Sequence, residues 1–281
     1  MRLIIFLLAT ASLAAQSQRI ISTGPSITEI LFALGLGNRV VGVTQYCTYP
    51  PEAQKIRRIG TWMAYNMEAI LETRPDLVIV QKTGIHDDAR FKARSLTTLL
   101  VKLDSIADIH QTILSIGAAA GTQKRAAELV AQIERELNNV RKRTSGKPPT
   151  RVMFVVGRSP GALEGLVVVG KRSYLSEVME IAGGRNVFDD APIAYPKVGH
   201  EEILARNPDV IIDMGEHPDA TQITEAQKQK EIGLWRRYPS ILAVQKNRIH
   251  IVSSDLFVHP GPRVVNLARV LLQLLHPELP N

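Results

Sequence analysis

The sequence predicts an α/β protein built as two Rossmann-like lobes with mostly parallel sheets, joined by one long helix, with a ligand cleft between them. Three observations predict it. First, residues 122–143 carry Ala126, Leu129, Val130, Ile133, Leu137 and Val140 at helical spacing. At ~1.5 Å per residue that stretch makes a rod of about 33 Å, with Thr122 placed to cap it and Gly146, Pro148 and Pro149 ending it. Second, a motif of the form E-x-I-L-x-x-x-P-D-[LV]-[VI]-I occurs once on each side of the rod, at Glu68–Ile79 and at Glu201–Ile212. Each copy reads as a short helix stopped by proline and running into a buried strand. Third, short apolar runs alternate with helical patterns on both sides, as βαβ units require.

The expected divisions are a leader at 1–17, a first lobe at 18–121, the connecting helix at 122–145 and a second lobe at 146–281. Arg2, an apolar run over residues 3–15 and small residues at Ala14 and Ala15 read as a cleavable secretory signal. The run is shorter than the ~20 residues that cross a bilayer. Cys47 is the only cysteine, so no cysteine stands at the cleavage site to take a lipid, and neither an internal disulfide nor a cysteine-rich metal site is available. The expectation is a soluble, exported, periplasmic monomer. With 45% apolar and 22% charged residues the 281-residue chain can bury a core and does not read as disordered. The net charge of +7 becomes +6 when Arg2 leaves with the leader. Much of it lies on the long helix, where it reads as a solvated face whose terminal cations suit the helix dipole, and not as a nucleic-acid surface.

In the first lobe Arg19–Ser22 reads as a strand, Ser26-Ile-Thr-Glu29 as a capping box opening a helix, and Val40–Thr44 as the next strand. Tyr46, Tyr49 and Trp62 then fall in or beside loops at strand ends, where open α/β sheets bind ligands; each is either packing or part of a surface for a flat ligand. Tyr46-Cys-Thr-Tyr-Pro-Pro-Glu-Ala-Gln-Lys-Ile56, Thr61-Trp62, Asn66-Met-Glu68 and Arg74-Pro-Asp-Leu-Val-Ile79, with Ser22, Pro25 and Thr28-Glu29, resemble the periplasmic cobalamin-binding proteins of vitamin B12 uptake. These belong to a wider group of helical-backbone solute-binding proteins that deliver haem, siderophores and cobalamin to ABC importers, and the resemblance covers essentially the whole mature chain. It implies a non-enzymatic protein that captures a corrinoid as transported ligand, with no cofactor of its own, and passes it to a membrane permease dimer.

The resemblance also assigns residues in the second lobe. It places Tyr195 and the segment Asp255, Leu256, Phe257, Val258 and His259 on the ligand, opposite Tyr46, Tyr49 and Trp62, with Asp255 bonding to amide side chains. The family's pattern has more aromatic and charged character than Leu256, Val258 and His259 offer, which leaves the particular corrinoid open. Glu68 and Glu201, equivalent in the repeat, become the carboxylates that dock on arginines of the permease; read without the resemblance, each is a favourable acid in a helix first turn.

Two other chemistries are weighed. Gly157-Arg-Ser-Pro-Gly161 matches the G-x-S-x-G of a serine hydrolase, but Pro160 has no N–H for an oxyanion hole, and residues 165–170 read as a strand where an elbow needs a helix. None of the seven histidines, His86, His110, His200, His217, His250, His259 and His276, pairs at a close ligand-like spacing, so no metal site is expected. His259 remains a possible axial ligand to cobalt or haem iron. Haem or a siderophore is the alternative cargo, haem with Tyr46 or Tyr49 as its iron ligand.

Overall fold

The computed structural model describes residues 16–83, 88–215 and 223–279. Most of the expected leader, His86, His217 and the middle of the Lys82–Asp88 stretch lie outside these residues.

The first lobe runs β1 (Ile20–Ser22), α1 (Pro25–Ala33), β2 (Val40–Val43), α2 (Met67–Glu72), β3 (Leu77–Gln81), α3 (Ala89–Lys92), β4 (Thr98–Val101) and α4 (Ile106–Ala120). Its sheet is wholly parallel, in the order β2-β1-β3-β4. The long helix α5 (Gln123–Thr144) follows. The second lobe runs β5 (Thr150–Gly157), β6 (Val167–Val168), α6 (Tyr174–Ile181), β7 (Gly184–Asn186), α7 (His200–Arg206), β8 (Val210–Asp213), α8 (Glu225–Trp235), α9 (Leu242–Gln245), β9 (Ile249–Ile251) and α10 (Val264–Leu275). Its sheet is ordered β6-β5-β8-β9, with β7 also on β5; every pairing is parallel except β5 with β6.

The repeat is one construction made twice. After each short helix the chain turns through a left-handed residue, Arg74 at φ 47° and Asn207 at φ 42°. The aspartate beyond the proline then donates its N–H back to the first strand, Asp76 to Arg19 O at 3.0 Å and Asp209 to Arg151 O at 2.9 Å. Those two arginines in turn donate to the carbonyls of Thr73 and Arg206, which are equivalent in the motif. The central strands alternate as period 2 demands. Val78 and Val80 face an outer cluster with Phe91, while Leu77 and Ile79 face inward. In the second lobe Met153 and Ile211 point to the outer cluster around Trp235, and Phe154 and Ile212 point inward.

The inward faces belong to one continuous core that also holds the buried stripe of α5 (Ala126, Leu129, Ile133, Leu137, Val140) and the apolar face of α10. Helix α5 packs on α4, α6 and α10, so it is fastened along its length to both lobes. Its approach to α4 is close: a Cβ at Gly117 would stand 2.4 Å from that of Ala126. Apolar continuity of this kind resists hinge opening more than a bare linker does.

Two sequence-based expectations about caps are corrected. Thr122 precedes α5, but its hydroxyl is buried with no hydrogen-bond partner among the described residues; what it supplies is its carbonyl, which accepts from Ala126 N at 2.9 Å. The Thr122 backbone, at φ −119° and ψ 36°, is not in the extended conformation that aims a cap side chain. Nor do Ser26 and Glu29 form a capping box. Helix α1 starts two residues earlier, on Pro25 with Gly24 at the cap, so Ser26 lies inside the helix and Glu29 is released to other partners.

Candidate functional site

A cavity of about 550 Å³ opens between the lobes at the carboxyl ends of the strands. The first lobe contributes the β1–α1 turn at Thr23–Ser26, then Gln45, Tyr46, Thr48, Trp62 and Tyr65 from the stretch between β2 and α2, and Gln81 and Thr83 at the end of β3. The second lobe contributes Asp255, Val258, His259 and Pro260. A smaller cavity of about 340 Å³ adjoins it, sharing Gln81, Val258 and Pro260, and is walled by Ser173, Tyr174 and Tyr195.

Tyr46, Tyr49, Trp62 and Tyr195 are 39%, 43%, 42% and 43% exposed, and among the described residues they are the only exposed large aromatic side chains. All four stand around this cleft. Tyr46 and Trp62 line the larger cavity and Tyr195 the smaller, where its hydroxyl accepts from Ser173 Oγ at 3.2 Å. Tyr49 lies at the edge, its ring under the Arg263 guanidinium at 4.1 Å.

The segment 255–259 divides. Asp255, Val258 and His259 face the larger cavity, Phe257 borders only the smaller one, and Leu256 lines neither. Phe257 is 4% exposed, packs edge-on against Phe154 at 5.7 Å between centroids, and accepts the buried Tyr174 hydroxyl on its carbonyl at 2.6 Å. Leu256 packs on the same core. The segment forms a 3-10 turn at Asp255–Phe257, which sends successive side chains to different sides, so apolar character alone did not tell wall from core. Asp255 is also less available than expected, since its two oxygens accept from Arg263 at 3.2 and 2.9 Å.

Arg263 and Glu29 are the site residues that sequence reasoning missed. Arg263 reaches from the start of α10 to Glu29 on α1, its Nε donating to Glu29 Oε2 at 2.8 Å, so one guanidinium ties the first lobe to Asp255 of the second. Burial pushes the Glu29 carboxyl above its ordinary value despite Arg263 beside it. Burial acts the same way on Asp255, but the hydrogen bonds and charge of Arg263 outweigh it and hold that carboxyl below the usual range. Burial disfavours the Arg263 cation in turn, and the two carboxylates overcome it and hold the guanidinium more firmly charged than usual. His259 Nδ1 lies 3.8 Å from Glu29 and 4.0 Å from Asp255. Atoms of Glu29, Asp255 and His259 come within 4.8 Å of one another, a metal-sized grouping, but Arg263 already pairs with both carboxylates. Spacing i, i+4, i+8 for Asp255, His259 and Arg263 was the available signal, masked because no single helix carries all three.

The hydrolase geometry does not occur. Strand β5 leads through a turn, closed by Ser159 N donating to Glu164 O at 2.8 Å, into the antiparallel strand β6. The Arg158 side chain is wholly buried, paired with Asp213 at 3.1 Å and with Glu231, while Trp235 Nε1 donates to Asp213 at 2.8 Å.

Glu68 and Glu201 both stand exposed in the first turns of α2 and α7. Among the described residues neither meets a cation, although Glu72 pairs with Arg57 and Glu202 with Arg206 on the same helices.

The family model described as periplasmic binding protein matches residues 20–256. The chain belongs to this family. It is 30% identical to the vitamin B12-binding protein of Salmonella typhimurium over 92% of this chain and 90% of that one. Its fold matches the crystal structure of the periplasmic vitamin B12 binding protein BtuF of Vibrio cholerae, with a TM-score of 0.75, 25% identity and coverage of 92% and 96%. It also matches the periplasmic heme-binding protein RhuT of Roseiflexus sp. RS-1, with a TM-score of 0.73, 26% identity and coverage of 92% and 100%. Members of the family are solute-binding components that work with ABC transporter permeases, not enzymes, and the protein is a binding protein of that importer type. No helix among the described residues is long and apolar enough to cross a membrane.

Proposed function

We propose that the protein is exported to the periplasm by its leader, captures cobalamin or a related corrinoid in the interlobe cleft, and delivers it to the permease dimer of an ABC importer. The observation that carries this reading is that the four large aromatic side chains exposed among the described residues all stand around one cleft. Exposed aromatic faces on both walls suit a large, flattened, partly apolar ring system. Gln45, Gln81, Thr23 and Thr83 bring to the same cavity the donors and acceptors that amide side chains need. Similarity to a vitamin B12-binding protein over nine-tenths of both chains supports the same cargo. Glu68 and Glu201, one exposed carboxylate per lobe that meets no cation among the described residues, would dock on permease cations and set the register of the complex.

Haem is the second reading, favoured by a phenol, Tyr46, and an imidazole, His259, lining one cavity, and by the similarity to a heme-binding protein. Calorimetric titration of the chain from Gln16 onward with cyanocobalamin and, separately, with haem decides between them. Tight one-to-one corrinoid binding is expected. Haem binding with no response to cyanocobalamin would replace the cargo and keep the transport role.

A further inference from the structure

Helices α2 and α7, the two copies of the repeat, show solvent the same pair of side chains. Leu71 is 43% exposed and Leu204 39% exposed, and each lies three residues beyond its lobe's unpaired carboxylate, on the same helix face. A single exposed leucine needs no explanation. Two at equivalent positions, each beside an acid that meets no cation among the described residues, form a duplicated surface. The rest of these helices is satisfied: Ile70 and Ile203 are buried in their lobes, and Glu72 and Glu202 are paired.

We infer that Leu71 and Leu204, together with Glu68 and Glu201, form a two-part docking surface for a twofold membrane permease whose subunits each offer a cation next to an apolar pocket. This rests on the docking role proposed for the two glutamates and assigns the holding contact to the leucines. Only a partner that carries its own chemistry twice can use both copies at once. A second copy of this chain fits poorly, because meeting through the same face would set carboxylate against carboxylate. In such a contact the charges steer and align, while the buried apolar anchors slow dissociation.

The test uses the permease–ATPase complex from the same genome whose ATPase activity the wild-type protein stimulates, reconstituted in lipid vesicles, with docking affinity measured with and without cyanocobalamin. Leu71→Ser with Leu204→Ser is expected to weaken docking by at least about tenfold at every ionic strength. Glu68→Gln with Glu201→Gln is expected to weaken it chiefly at low salt. Leu114→Ser, exposed on α4 outside the repeat, leaves docking unchanged. Leu71→Ile with Leu204→Ile keeps it, which separates contact loss from misfolding, as does an unaltered urea midpoint. If the serine pair docks within about twofold of wild type while the glutamine pair fails, the leucine role is overturned and the carboxylate role stands. If neither pair changes docking, both fall. A dimer of the free protein that the serine pair dissociates would assign the face to self-association and also overturn the inference.

Discussion

The two lobes share a plan and differ in how they spend polarity. The first has a wholly parallel sheet and meets the cleft mainly with aromatic faces, Tyr46, Tyr49 and Trp62, set among neutral hydroxyls and amides. The second has a mixed sheet, keeps an ion network of Arg158, Asp213 and Glu231 in its interior, and meets the cleft with Asp255 and His259 beside Arg263. Duplication of a fold therefore did not duplicate the chemistry at the strand ends. Under the proposed reading the first lobe would provide the contact area for a ligand, while the second holds charged groups already paired within the protein.

The contrast breaks first at Arg158. Replacing it with methionine leaves Asp213 and Glu231 buried without their cation, a loss worth about 3–5 kcal/mol. Urea unfolding should register most of that, and a loss below about 1 kcal/mol would mean that the interior charges of the second lobe are not structural. The first lobe should respond in the opposite way. Trp62→Ala with Tyr46→Ala should weaken cyanocobalamin binding about a hundredfold, near 3 kcal/mol, since two aromatic faces leave the ligand. Unfolding stability should move by no more than about 1 kcal/mol, because neither ring belongs to the core. A large loss of stability with intact binding would reverse the roles assigned to the lobes.

At the bridge between the lobes the effect is one of pH. Glu29 carries a folded-state carboxyl raised above its ordinary 4.5 by burial, so the native state holds its proton more tightly than the unfolded chain. That group's contribution to stability is therefore most favourable below 4.5 and declines as pH rises through the folded value. Glu29→Gln should remove this decline, so the variant gains on wild type with rising pH when urea midpoints are compared from pH 4 to 8. Asp255, held below its ordinary 3.8, acts in the opposite sense: its contribution is complete above 3.8 and is lost as pH falls further, outside that range. A wild-type-minus-variant difference that stays flat from pH 4 to 8 would show Glu29 to be unperturbed.

What could be read from sequence and what could not follows the distance over which each feature is encoded. The repeat was legible because its parts are local: the left-handed turns at Arg74 and Asn207 sit at matched positions before a proline, and the strands beyond them carry their burial in the alternation of their own residues. Three aromatics at strand ends of the first lobe were legible for the same reason. The Glu29–Arg263 tie joins residues 234 positions apart, and no period or spacing announces it. Worse, Ser26-x-x-Glu29 satisfied a local pattern that offered Glu29 a different role; Pro25 decided otherwise by fixing where the helix begins. Phe257 and Tyr46 are both aromatic and near strand ends, and only the turn at 255–257 determines that one is buried in the core at the border of the smaller cavity while the other stands exposed on the wall of the larger.

The smallest expected effect sharpens the comparison of the two repeat helices themselves. Asn66 caps α2, its side-chain oxygen accepting from Ala69 N at 2.9 Å, whereas the equivalent Gly199 before α7 offers no side chain. Asn66→Ala should therefore cost about 1 kcal/mol in urea unfolding. The Asn66 backbone N–H, which alanine retains, donates to Ile59 O at 2.8 Å, so the cap stands beside the chain that carries Trp62 up to the cleft. Helix α7 holds its entry by other means: Lys197 bridges to Val167 and Val198 N donates to Leu166 O at 3.0 Å, tying the approach to the β6 region. If Asn66→Ala weakens cyanocobalamin binding as well as stability, the cap positions the aromatic wall. If stability alone falls, the loop holds Trp62 in place without it, and the two helices are equivalent in function despite their different starts.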